Sequence, residues 1–148
     1  MKRVNLIESA IILLLLAVIG WLVFSTLEYR TDRNYGFMRT EVDESQIATA
    51  LDRYSTLYGT FPPGNTESIE RILSGEDLNG KNPQKLQFLI FRGSIEHSNE
   101  MVDPWGMPYA VNFLSTNSFL ISSAGKDKIF GDADDIIFNS VSNGFVKP

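Results

Sequence analysis

The chain has 148 residues, a net charge of −5 and no cysteine. That length accommodates one membrane helix and one compact domain of about 90 residues. The acidic balance leaves no basic patch to displace counterions from phosphates, which excludes nonspecific nucleic-acid binding. The absence of thiols excludes disulfides, thiol catalysis and thiolate zinc sites.

The beginning of the chain is its most distinctive part. No charged residue lies between Glu8 and Glu28, and those roughly 19 positions span about 28 Å as a helix, close to the hydrocarbon thickness of a bilayer. Lys2 and Arg3 precede the span without an acid beside them, which favours a cytoplasmic N-terminus and an extracytoplasmic bulk. A cleaved signal fits poorly, because the apolar run is long, Glu8 interrupts its front and no Ala-x-Ala-like site follows Trp21. A simple single-pass anchor fits the run but leaves Glu8 unexplained. A carboxylate at the mouth of an apolar helix costs several kcal/mol to desolvate and needs a partner. Trp21 is expected to be an interfacial anchor.

Beyond the span the chain turns polar through Glu28, Arg30, Asp32 and Arg33, and a helical pattern resumes after Gly36. Val42, Ile47, Ala48, Leu51, Tyr54 and Tyr58 recur at near-helical steps and predict one buried stripe. Asn34, Tyr35 and Gly36 form a weak spot where a helix can bend, but no proline occurs between Val4 and Tyr58, so a helix of about 55 residues is permitted. Gly59 is placed to stop it, and Pro62 and Pro63 prevent its resumption. The expected parts are a transmembrane helix over 1–28, its amphipathic continuation over 29–60 and a globular domain over 61–148.

Asn65 or Thr66 can cap a short helix carrying Ile69, Ile72 and Leu73 that ends near Gly75. Residues 76–83 read as a polar loop, with Asn79-Gly80 and Asn82-Pro83 as turn signals. Leu86 to Phe91 reads equally as short helix or extended chain. Tyr109 to Phe113, Phe119 to Ser122 and Ile136 to Phe138 read as strands, and the tail from Ser142 is expected to be loosely ordered. The predicted class is α+β, a long N-terminal helix packed on a small antiparallel sheet.

Two stretches carry candidate chemistry. Asp127, Asp132, Asp134 and Asp135 bring four carboxylates into nine residues. They repel one another unless a hard, oxygen-coordinated cation gathers them; a solvated acidic turn is the alternative, and the spacing is not that of an EF-hand. Asp103 to Tyr109 holds two prolines, a glycine and Trp105. It reads as a rigid turn whose indole fills the core between helix and sheet. His97 is the single histidine, and no Gly-x-Ser-x-Gly elbow accompanies it, so nothing points to an enzyme.

Four motifs occur in an order that resembles one family. Val4-Asn5-Leu6-Ile7-Glu8 resembles the mature start of the type IV pilin and type II secretion pseudopilin superfamily, with Glu at the fifth mature position. Ala50-Leu51-Asp52-x-Tyr54 through Tyr58-Gly59-x-Phe61-Pro62 resembles the end of the long pseudopilin helix. Asp103-Pro104-Trp105-Gly106-x-Pro108-Tyr109 is similar to the Trp-Gly block of the major (G-type) pseudopilin. Ser123 to Asp127 with Gly131 to Ile136 resembles that family's C-terminal calcium loop. The resemblance covers most of the chain and is weakest over Asn65–Met101.

It implies a pilin-like fold and a non-enzymatic subunit stored in the bacterial inner membrane, with its globular domain in the periplasm. Such a subunit assembles with copies of itself, other pseudopilins and an inner-membrane platform into a periplasmic pseudopilus. It implies calcium held by Asp127, Asp132, Asp134 and Asp135 with a carbonyl such as that of Ile129. It also implies assembly through Val4 and Glu8, a new Val4 amine meeting Glu8 of the next subunit. The family's prepilin peptidase cuts after Gly, whereas Arg3 precedes Val4 here and Val replaces the usual Phe. Unconventional cleavage between Arg3 and Val4, retention of Met1 to Arg3 with Lys2 or Arg3 supplying the charge, and a different natural start all stand open. The alternatives are a type IV pilin or minor pilin and, from another class, a monomeric single-pass calcium-binding extracytoplasmic protein.

Overall fold

A computed structural model describes the chain over residues 6–90 and 101–146, with side chains there except at 6–8 and 28–34. The described elements are α1 (Leu6–Tyr58), α2 (Thr66–Leu73), β1 (Ala110–Ser115), β2 (Ser118–Ser123), β3 (Ile136–Asn139) and β4 (Gly144–Val146). The class is α+β, an apolar N-terminal helix and a small four-stranded antiparallel sheet. The chain divides into two units, residues 1–35 and 36–148.

The first unit contains a stretch of α1, Ser9–Leu27, long and apolar enough to cross a membrane. Its large side chains are exposed all round, from Ile11 to Leu27, the pattern of a helix whose apolar surface is meant for lipid or for other helices. The two hydroxyls near its end are satisfied internally: Ser25 Oγ donates to the Leu22 carbonyl at 3.0 Å and Thr26 Oγ1 to that of Val23 at 2.8 Å. Neither brings an unpaired donor into an apolar medium.

In the second unit α1 buries Ile47, Ala48, Leu51 and Tyr54, as the periodicity predicts, and Ala50 beside them, while Tyr58 is partly buried against the core. Val42, five residues before Ile47, falls off that stripe and is 53% exposed; the sequence expectation for it is corrected. Gly59 ends the helix in the left-handed conformation, φ 76°, its N–H reaching the Ser55 carbonyl at 2.8 Å, the αL stop that glycine permits. Asn65 caps α2, accepting the Ser68 N–H at 3.1 Å, and α2 turns Ile69, Ile72 and Leu73 inward. Residues 86–90 are irregular chain rather than helix, with Leu89 buried.

The sheet is a meander in the order β1-β2-β3-β4. Phe119, Ile121 and Ser123 alternate inward on β2, and Ile136 and Phe138 on β3, the period of two expected of strands with one covered face. The β1–β2 register shifts between Phe113 and Ser115. The tail beyond Ser142, expected to be loose, contributes β4, which pairs Phe145 with Phe138. Asn143 takes a left-handed φ of 47° just before it, a conformation Asn tolerates better than most residues. One core joins α1, α2 and the sheet, with Leu51, Ile72, Phe119 and Ile121 at its centre.

The loop over residues 76–83 is pinned by a residue whose role its turn signal does not reveal. Asn82 is fully buried. Its Nδ2 donates to the carbonyls of Ile72 at 2.9 Å and Leu86 at 2.8 Å. Its Oδ1 accepts from the Leu86 N–H at 3.0 Å and the Tyr58 hydroxyl at 3.1 Å. Asn82→Ala leaves these groups buried without partners, and we expect a loss of about 3 kcal/mol. Urea unfolding of the full chain in detergent measures it; a loss below about 0.5 kcal/mol, the size of an ordinary surface change, refutes this role.

Candidate functional site

The acidic loop runs between β2 and β3. Asp127, Asp132 and Asp134 each place a carboxylate oxygen within 4.8 Å of the others. Oxygens sharing one ion lie no more than about 5 Å apart, so the set could hold a metal ion. The loop is preorganised by its own amides. Asp134 Oδ2 accepts from the N–H groups of Lys126 at 2.8 Å and Asp127 at 3.3 Å, and Asp132 Oδ1 from that of Asp134 at 3.0 Å. Gly125, at φ 68°, lies so close to the backbone and carboxylate of Asp134 that a Cβ has no room there. Glycine is required both by conformation and by this approach.

Asp135 and Ile129, the other two expected ligands, lie on the same loop. Asp135 Oδ2 accepts the Gly131 N–H at 2.7 Å, while its Oδ1 is buried without a hydrogen bond. The Ile129 side chain is exposed and its N–H bonds Asp127 Oδ1 at 2.8 Å. Glu8 belongs to α1, but its side chain lies outside the described residues, as do Arg3, Val4 and His97 entirely.

The base of the loop is tied to the Trp-Gly turn. Asp103 is fully buried. Its Oδ1 accepts the N–H groups of Trp105 at 3.0 Å and Met107 at 2.8 Å, and its Oδ2 accepts Ser123 Oγ–H at 2.6 Å. Ser123 Oγ in turn accepts the Gly125 N–H at 3.1 Å. The indole of Trp105, expected in the core between helix and sheet, is only half-buried and lies against Gly36 of α1, where a Cβ would overlap it. Gly36 is therefore a seat for an aromatic ring as well as a weak spot in a helix.

Beside this contact α1 presents acids inward, a feature the apolar pattern hides. Asp43 is buried and pairs with Arg39 Nε at 3.1 Å, while the Tyr109 hydroxyl donates to Asp43 Oδ2 at 3.4 Å. Burial raises the Asp43 pKa, against the pull of Arg39, and burial followed by the charge of Asp43 raises that of Tyr109. Glu44 is fully buried, and neither of its oxygens makes a hydrogen bond of normal geometry. Burial, then the nearby charges of Glu41, Asp103 and Asp43, push its pKa up to about 9, and the neighbouring Ser123 amide offsets only part of this. Glu44 is a neutral acid at pH 7. Only its place beside the stripe, at Asp43-Glu44 before Ile47, hints at this in the sequence.

In comparisons with known proteins, the chain matches no family model, and no curated protein or solved structure matches it.

The shifted acid dictates the sign of a pH effect. Folded Glu44 keeps its proton up to about pH 9, whereas in the unfolded chain it ionises near 4.3. The folded state thus binds more protons between those values, and stability falls as pH rises through that window. Glu44→Met removes the unpartnered group at similar volume. We expect it to stabilise the protein by about 1–3 kcal/mol at pH 8, with the gain shrinking towards pH 5. Unfolding midpoints of both proteins across that range test this, and parallel pH profiles refute it.

Proposed function

We propose that this chain is a filament subunit of the type IV pilin-like superfamily, a pseudopilin of a type II secretion-like system with a pilin-like fold. It is held in the inner membrane by Ser9–Leu27 and assembles into a periplasmic pseudopilus. One observation carries the reading: a single helix, α1, supplies both an apolar span exposed on all sides and the central stripe of a small α+β core. An anchor needs only the first of these. The order of the N-terminal, Tyr-Gly-x-Phe-Pro, Trp-Gly and acidic-loop motifs supports it further.

In this reading Glu8 at the mouth of the span is answered by a cation of the neighbouring subunit, the Val4 amine after cleavage or Lys2 or Arg3 without it. At about 4 Å and an effective dielectric of 20 such a pair gains on the order of 4 kcal/mol, comparable to its desolvation cost, so its use is register more than net stability. Other pseudopilins and a membrane platform are the further partners. Calcium is the proposed ion of the Asp127, Asp132 and Asp134 loop, where it does for a cysteine-free domain what a disulfide does elsewhere.

Two experiments test these claims. Glu8→Ala is expected to insert into membranes at the normal level while sedimentable filaments fall at least tenfold; undiminished filaments remove the role given to Glu8. Calcium at about a hundred times its dissociation constant adds about 2.7 kcal/mol to stability, so millimolar calcium should raise the unfolding temperature over a chelator control. Asp134→Asn should erase that rise. Identical scans with calcium and chelator rule out the calcium site.

A further inference from the structure

The loop between α2 and Asn82 holds a pair of residues that can react with each other. Leu78 to Lys81 form a tight turn. The Lys81 N–H reaches the Leu78 carbonyl at 3.1 Å, and Asn79 and Gly80 between them both take left-handed φ, 54° and 75°. Asn and Gly are the residues such a turn selects. The same pair is chemically labile, because the main-chain nitrogen after an asparagine can displace ammonia from the side-chain amide, and a glycine there leaves the approach clear.

The reaction needs an open amide, a free N–H after it and a backbone able to bring the two together. Asn79 and Gly80 supply all three. Both are exposed, neither the Asn79 amide nor the Gly80 N–H makes a hydrogen bond among the described residues, and the space where a Gly80 side chain would stand is empty. One hydrogen bond closes the turn, so its opening is a local event. Other asparagines lack one of these conditions. Asn82 is buried and precedes Pro83, which has no N–H. Asn65, Asn117 and Asn139 use their side-chain oxygens to accept the Ser68 N–H, the Ser115 hydroxyl and the Val141 N–H. Asn143-Gly144 is the second Asn-Gly pair, but Gly144 belongs to β4 and is paired with Asn139, so its nitrogen is free to move only when the strand lifts.

We propose that Asn79 is a site of spontaneous deamidation. The Gly80 nitrogen bonds to Asn79 Cγ, the Cγ–Nδ2 bond breaks, and the Gly80 amide proton departs with the side-chain nitrogen as ammonia, which closes a succinimide ring. Water then opens the ring. Opening at Cγ gives aspartate, and opening at the main-chain carbonyl gives isoaspartate, whose backbone runs through Cβ and Cγ and is longer by one carbon. Either product adds a negative charge to the turn. Isoaspartate also lengthens a turn that is held on both sides: the Tyr54 hydroxyl donates to the Lys81 carbonyl at 2.7 Å, and Asp77 Oδ1 accepts the Asn82 N–H at 3.0 Å. The change therefore reaches the end of α1 and the buried Asn82. The inference is independent of the filament reading.

The test ages the full-length chain in detergent in warm, mildly alkaline buffer, folded and in concentrated urea. Peptide maps with electron-transfer fragmentation follow amide loss and distinguish isoaspartate from aspartate. In the folded chain Asn79 is expected to convert at least about fivefold faster than Asn143, whose glycine the strand holds; in urea the two rates should converge. Folded-state conversion at Asn143 that matches or outpaces Asn79, or an Asn79 that stays intact in the folded chain while it converts in urea, overturns the proposal. The isoaspartyl chain, separated from the unaged one, should unfold at lower urea, and Tyr54→Phe should narrow that gap. Equal unfolding midpoints refute the reach to Tyr54.

Discussion

The second unit depends on the carboxylate of Asp103. Buried and accepting three hydrogen bonds, it closes the Trp-Gly turn through the amides of Trp105 and Met107 and fastens the end of β2 through Ser123. Each such bond contributes about 1 kcal/mol net, and a buried acceptor left without its donor costs more. The consequences run in two directions. On one side the turn carries the indole to Gly36 and so to α1; on the other, Ser123 receives Gly125, whose missing side chain lets Asp134 close over it. Helix, turn and acidic loop are thus positioned by one buried polar group whose burial is tolerable because its oxygens are hydrogen-bonded.

The two units solve different physical problems. Residues 36–148 have their own core, built from one stripe of α1, one face of α2 and the inner face of the sheet. Ser9–Leu27 has none: its large apolar side chains are exposed among the described residues. Its stability must come from outside, from lipid or from neighbouring helices. A single helix, α1, is subject to both demands, which is why its apolar pattern changes from continuous to striped.

Much of this architecture is legible in the residues. The absence of proline before Tyr58 and the glycine after it delimit α1, and the stripe from Ile47 to Tyr54 is buried. The alternation on β2 and the three clustered aspartates are equally readable. What escapes is what pattern cannot encode. β4 has three residues, too few to show a period of two. Asn82 looks like any turn asparagine, and only the fold brings the carbonyls of Ile72 and Leu86 to its amide. Glu44 is inside because its neighbours along α1 are, although its own chemistry argues for solvent. Val42 is the converse, an apolar residue that the helical phase turns outward. Local preference and global placement disagree at both, and such disagreements in a folded chain point to function more often than agreement does.

The margins of the sheet limit what another chain could pair with. β1 carries a register irregularity between Phe113 and Ser115, and β4 offers three residues. Neither margin presents the long straight row of free amides on which a foreign strand can template itself. In the filament reading proposed above, contacts between copies fall to side chains and helices, which can separate and meet again. The sheet itself stays closed to the main-chain zippering that makes cross-β aggregates so hard to reverse.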